Sequence, residues 1–204
     1  MAKRNNSDAN EAFHDYDIHV PSRTIYVGSV SSNDEHDESG TDFAMAERLI
    51  KNMHILETIN KEPIVIILNN LGGDYYHGMA LYDRIKASPC HVTVEVYGQA
   101  MSMGSLILQS ADRRVMSPNA TLMIHYGQAS MDTTSLNFQQ WAKEFKRIDK
   151  VAEEIYLTRI KEKHADYKTR DLKKLLAVDT FFTAEQALDL GLIDEVSGNV
   201  EAKE

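Results

Sequence analysis

The pattern of apolar and polar positions divides the chain into strands and amphipathic helices that repeat one arrangement. Val92, Val94 and Val96 alternate with Thr93 and Glu95, which predicts a half-buried strand running into Tyr97 and ended by Gly98. Met103, Leu106, Ile107 and Ala111 then recur at i, i+3, i+4 and i+8, so a short helix opens at Ser102-Met103-Gly104. Earlier, Pro63 to Leu68 (PIVIIL) is an unbroken apolar run, as a parallel strand covered on both faces requires. It enters Asn69-Asn70-Leu71-Gly72-Gly73-Asp74, and a helix through Met79, Leu81, Tyr82 and Ile85 follows. Two strand, turn and helix units of this kind place both turns at strand C-termini. That edge is where open α/β sheets bind ligands.

The flanking pattern is consistent with one α/β domain. Thr24 to Val27 reads as a strand closed by Gly28, and Phe43 to Ile59 as a helix with Met45, Leu49, Ile50, Met53 and Leu56 on one side. Thr121 to Ile124 is a short strand ending at His125, and Gly127 to Thr134 a polar loop. Phe138, Trp141, Phe145, Ile148, Ala152 and Ile155 recur every three or four residues. That spacing predicts a long helix over about 135–164 whose narrow apolar seam suits packing against another helix. Asp171 to Ala177 and Ala184 to Leu190 are two further helices, and Gly191-Leu-Ile-Asp194 closes the second. Residues 1–16 carry only scattered apolar side chains, predicting a flexible arm ahead of a single domain over 17–204. Residues 31–41 (SSNDEHDESGT) are acidic but lack rigid ligand spacing, so they read as a solvated loop and not a metal site.

Composition narrows the function. At 204 residues and 43% hydrophobic, the chain can build one sizeable core, and no apolar run reaches the roughly 18 residues of a membrane span. Residues 1–16 hold no apolar signal segment, and Cys90 is the only cysteine, so a cytoplasmic protein without disulfides is expected. The net charge of −9, from 31 acidic and 22 basic residues, leaves no basic stripe for nucleic acid.

Candidate chemistry concentrates at the second turn. Ser102 opens a helix, where free N–H groups favour developing negative charge, and His125 lies 23 residues later at a strand end. A serine in this position is ordinarily a helix cap, and a histidine closing an apolar strand is ordinarily structural. The stretch GQAMSMGSLILQSADRRVMSPNATLMIH, however, closely resembles the active-site segment of the ClpP family, the proteolytic subunits of Clp proteases. That family reads G-x-A-x-S-M-G, a small-residue helix, then P-N-(A/S)-x-x-M-I-H. Its Ser-Pro-Gly-Gly turn is matched by Asn70-Leu71-Gly72-Gly73, and its Asp-x-Phe segment by Asp179-Thr-Phe-Phe.

The resemblance runs from about Asp17 to Val196. It implies the ClpP/crotonase-like spiral of ββα units, with 135–164 as a projecting handle helix. It further implies a serine endopeptidase in which Ser102, His125 and Asp179 are catalytic and the N–H groups of Gly73 and Met103 form the oxyanion hole. Asp74, Tyr75, Tyr126 and Gly127 would flank an extended peptide or unfolded-protein substrate. No metal or organic cofactor is implied. The partners it implies are further copies of the chain, as a heptamer or tetradecamer, and a Clp-type ATPase whose coupling here is expected to be weak. Two departures stand out. Ala177-Val178 replaces the Asp-Arg pair that bacterial members use between rings, and the arm lacks their apolar axial segment. The alternatives are a free-standing processing protease, as in phage head maturation, a non-proteolytic ring subunit, and a crotonase-type acyl-CoA enzyme.

Overall fold

The computed structural model describes residues 6–28, 40–128 and 132–198. In chain order it forms α1 (Asn6–Tyr16), β1 (Ile18–His19), β2 (Thr24–Gly28), α2 (Phe43–Ile59), β3 (Ile64–Asn70), α3 (Tyr75–Lys86), β4 (Val92–Met101) and α4 (Met103–Leu108). There follow β5 (Arg113–Met116), β6 (Thr121–Ile124), α5 (Ser135–Lys163), α6 (Thr169–Leu176), β7 (Thr180–Phe182), α7 (Ala184–Leu190) and β8 (Glu195–Val196). The result is a mixed α/β fold.

The eight strands form one sheet in the order β1-β2-β3-β4-β5-β8, with β6 and β7 branching from β4. From β2 through β5 the pairing is parallel, and the inward positions Ile64, Ile66, Leu68, Val92, Val94 and Val96 are all fully buried. The apolar run at 64–68 is thus a central strand, and α2 and α3 cover the sheet through Leu49, Met53, Leu56 and Leu81. Asp42 and Asp74 accept the N–H groups of Met45 and His77, so an aspartate caps the start of each of these helices. Among the described residues no helix is long and apolar enough to cross a membrane.

Three expectations change. Gly98 does not end its strand, since β4 continues to Met101. The glycine, at φ +80°, marks the place where β4 exchanges one neighbour for another: Val96 pairs Met116 of β5, whereas Gln99 pairs Thr121 of β6. The short helix after Ser102 stops at Leu108, before Ala111. Residues 6–16, expected as part of an arm, form a helix. Ala9, Ala12 and Phe13 fall at i, i+3 and i+4 and are half-buried, Phe13 meets His19 edge to face, and Asn52 holds the Tyr16 carbonyl at 2.7 Å. Most of the acidic loop lies outside the described residues. The strands β1, β5, β7 and β8 had no clear sequence signal, being two to four residues long.

Candidate active site

Register assembles this site. Met101 of β4 pairs Met123 of β6 in parallel, so the chain leaves both strands on the same side, and the Ser102 N–H donates to the Met123 carbonyl at 2.9 Å. β7 runs antiparallel to β6 with Thr180 opposite Ile124, which sets Asp179 across from His125. Three residues far apart in sequence therefore meet at the ends of three neighbouring strands. The His125 Nε2 is 2.8 Å from Ser102 Oγ, and its Nδ1 is 2.8 Å from Asp179 Oδ1.

An ionised carboxylate can only accept, so the Nδ1 atom facing Asp179 carries the proton. The Nε2 lone pair is then directed at the serine hydroxyl. His125 is largely covered, with 16% of its side chain exposed, while 56% of the Asp179 side chain faces solvent. Asp179 does not cap the following helix, whose cap is Thr183 in a reciprocal pair with Gln186.

Ser102 adopts φ 49° and ψ −119°, a left-handed conformation that costs a non-glycine residue about 1–3 kcal/mol. Its side chain makes no cap contact, so the hydroxyl remains available to His125. The backbone absorbs the strain. Besides its N–H bond to Met123, its carbonyl accepts from the N–H groups of Ser105 and Leu106 and from Ser105 Oγ at 2.6 Å. Beneath it, Ser105 Oγ also meets the hydroxyl of the fully buried Tyr156 on α5 at 2.6 Å. Burial raises the pKa of that phenol. Tyr156 had no chemical signal in the sequence. Its only mark is a position four residues after Ala152, on the face that α5 turns inward.

Gly72 and Gly73 follow β3 with φ +107° and +142°, beside the serine turn. A Cβ on Gly72 would lie 2.7 Å from Ser102 Cβ and 3.2 Å from the Met103 N. Met103 is the first residue of α4, where a helix N–H has no partner within its own helix. Asp74 spends its carboxylate on the His77 N–H, and Tyr75 packs half-buried against the core. The Tyr126 N–H is bonded to the Leu176 carbonyl at 2.7 Å and its hydroxyl donates to Glu153 at 2.5 Å. Burial, with that bond, holds the phenol above its ordinary range. Gly127 is open, with nothing near its Cβ position. Of the four flanking positions, Tyr126 is thus committed to α5 and α6.

Comparison with known proteins identifies the family. The profile of the Clp protease family matches residues 37–200. The chain is also similar to the ATP-dependent Clp protease proteolytic subunit of Deinococcus radiodurans, with 31% identity over 187 residues, covering 89% of this chain and 84% of that protein. A chain matched over most of its length by the profile and by this relative belongs to the Clp protease family and is a serine endopeptidase.

Proposed function

We propose that Ser102 is the nucleophile, His125 the general base and Asp179 the residue that orients it. The observation that carries this reading is His125 lying 2.8 Å from each of the other two, one at each ring nitrogen. His125 takes the hydroxyl proton as Ser102 Oγ attacks the peptide carbonyl, then returns it to the leaving amine, giving an acyl-enzyme that water hydrolyses. Asp179 fixes the tautomer and stabilises the imidazolium that forms. The N–H groups of Gly73 and Met103 receive the oxygen of the tetrahedral intermediate. An extended peptide runs past Asp74, Tyr75 and Gly127, with Tyr126 bracing the wall. The chemistry needs no cofactor.

The enzyme works as an oligomeric chamber, a ring of seven or a pair of rings. Supporting this, α5 buries only Ala152, Tyr156 and Ile160 within the chain, and leaves Leu136, Phe138 and Trp141 in solvent. Trp141 stacks on Phe145 there, so an apolar end of the helix is left exposed. The similarity to a proteolytic subunit of an ATP-dependent Clp protease supports a Clp-type ATPase as the partner that delivers unfolded protein.

Intact-mass detection of a fluorophosphonate adduct, mapped to its residue, tests the reading. The expected adduct is on Ser102 and not on the fully buried Ser105, and Ser102→Ala removes both labelling and peptide cleavage. A Ser102→Ala protein with wild-type turnover overturns it. For assembly, light scattering at micromolar concentration is expected to give at least seven copies, with Trp141→Ala shifting mass toward smaller species.

A further inference from the structure

The Gly72–Gly73 turn is held in place by the segment that enters α2. The Thr41 N–H donates to the Gly72 carbonyl at 2.6 Å, and the Thr41 carbonyl accepts the Asp74 N–H at 2.9 Å. The two backbones are so close that a Cβ on Gly73 would lie 2.4 Å from the Thr41 N, and one on Gly40 the same distance from the Gly72 oxygen. Among the described residues every peptide is trans, so the carbonyl and N–H of one peptide unit point opposite ways. With the Gly72 carbonyl turned to Thr41, the Gly73 N–H is turned away from it. The turn is sandwiched, with Thr41 against Gly73 and Ser102 against Gly72. The direction away from Thr41 is therefore toward the serine.

One side chain ties this arrangement together. Asn70 is fully buried, and its Oδ1 accepts both the Gly72 N–H at 2.8 Å and the Thr41 hydroxyl at 3.1 Å. Its Nδ2 faces the Met45 sulfur at 3.4 Å, and α4 approaches it so closely that a Cβ on Gly104 would lie 2.6 Å from its carbonyl oxygen. Thr41 is itself only 2% exposed. The buried Asn70 amide thus fixes the peptide plane before Gly72 and, through the Thr41 hydroxyl, holds in place the residue whose own N–H fixes the plane after it.

We propose that Asn70 and Thr41 are positioning residues, which set the orientation of the Gly72–Gly73 peptide and so aim the Gly73 N–H at the oxygen of the reacting carbonyl. This rests on Ser102 as nucleophile. Neither residue touches the substrate. A misplacement of about 1 Å at such a donor costs on the order of 100-fold in rate, and loss of the donor about 100- to 1,000-fold.

The test compares Asn70→Ala, Thr41→Val and Thr41→Ser with the wild type on a fluorogenic peptide. Binding of a peptide aldehyde, whose hemiacetal oxygen occupies the oxyanion position, and thermal unfolding are measured alongside. Asn70→Ala is expected to lower kcat about 10- to 100-fold with KM within about two-fold, and to weaken the aldehyde by the factor lost in kcat/KM. Thr41→Val is expected to lose a smaller factor, about 3- to 10-fold, and Thr41→Ser, which keeps the hydroxyl, to recover it. If Asn70→Ala does not fold, the contrast between valine and serine at position 41 decides. Folded Asn70→Ala and Thr41→Val enzymes with wild-type kcat, or a loss confined to KM with aldehyde binding unchanged, overturn the proposal. An enzyme that Ser102→Ala leaves active is a different result, since it removes the nucleophile and with it the need for an oxyanion turn.

Discussion

The turns after β3 and β4 share one architecture but present opposite chemistry. Each follows a central parallel strand, opens a helix and has a left-handed residue. After β3 those residues are glycines, so the side chains are absent and the turn presents backbone alone. After β4 the left-handed residue is Ser102, which keeps a side chain in a conformation that disfavours one. The supports differ accordingly. A neighbouring backbone segment and Asn70 hold the glycine turn from the side. Hydrogen bonds to the carbonyl of Ser102, and the buried Ser105–Tyr156 pair, hold the serine turn from below. On the proposed mechanism, a strand-end turn serves as a donor site when side chains are deleted, and as a nucleophile site when one is retained under strain.

The largest expected effect belongs to the serine turn's partners. Asp179→Asn keeps the fold, because the side chain is more than half exposed, but the amide can donate to Nδ1 and turn the imidazole to the wrong tautomer. Turnover is expected to fall on the order of 10⁴-fold in steady-state peptide assays while the melting temperature hardly moves. An Asp179→Asn enzyme with wild-type rates would break the pairing of His125 with both neighbours.

Next is the glycine turn. Gly73→Ala has no room, since its Cβ meets the Thr41 N and O at 2.4 and 2.6 Å and its φ is +142°. The turn has to move, and kcat is expected to drop about 100- to 1,000-fold, with stability falling by about 1–3 kcal/mol in denaturant titration. An active, stable Gly73→Ala protein would show that the glycine turn tolerates a side chain and does not differ from the serine turn in that respect.

Much of this was legible in the sequence because the fold is built from parallel strands whose patterns are local. The run 64–68 and the alternation 92–96 mark the two central strands, and the α2 helix begins and ends where its apolar periodicity does. Residues Ser102 and His125 were legible only through the motif around them, since a serine at a helix start and a histidine at a strand end are each commonplace. Other features depend on contacts distant in sequence. The short strand β7 exists because β6 needs an edge partner, and Gly98 bends the strand without ending it because β4 changes neighbour there. Asn70 and Tyr156 carry no pattern of their own. Their importance comes from what folds over them.

A smaller effect concerns the base of the serine turn. Gln109, which closes α4, accepts from the Arg114 guanidinium at 2.8 Å, and Arg114 is 3% exposed and held by Asp194 at 2.5 Å. Burial raises the Asp194 pKa, but the hydrogen bonds and charge of Arg114 outweigh it and leave the carboxyl below its ordinary value. A carboxyl depressed by folding stabilises the protein above its unfolded pKa of about 3.9, and that contribution is lost as pH falls through the lower folded value. Asp194→Asn, with the partial exposure of Asp194 discounting the cost of an unpaired buried arginine, is expected to destabilise by about 1–2 kcal/mol near neutrality. The gap from the wild type should close below about pH 4 in pH-dependent urea titrations. A gap independent of pH would mean that the ion pair does not anchor α4.

The smallest effect separates the two turns most directly. Ser102→Gly removes the proposed nucleophile and, at φ 49°, also removes the strain of holding a side chain there. Relief of about 1–3 kcal/mol is offset by the roughly 0.5–1 kcal/mol of extra chain entropy that glycine loses on folding. The inactive variant is therefore expected to be more stable than the wild type by about 1 kcal/mol, and more stable than Ser102→Ala, which keeps a Cβ in the same conformation. Adding a side chain at the other turn, as in Gly73→Ala, runs the opposite way. If denaturant titration finds Ser102→Gly no more stable than Ser102→Ala, the serine turn is not strained. The hydroxyl would then be presented at no cost, and the two turns would differ in sequence but not in energetics.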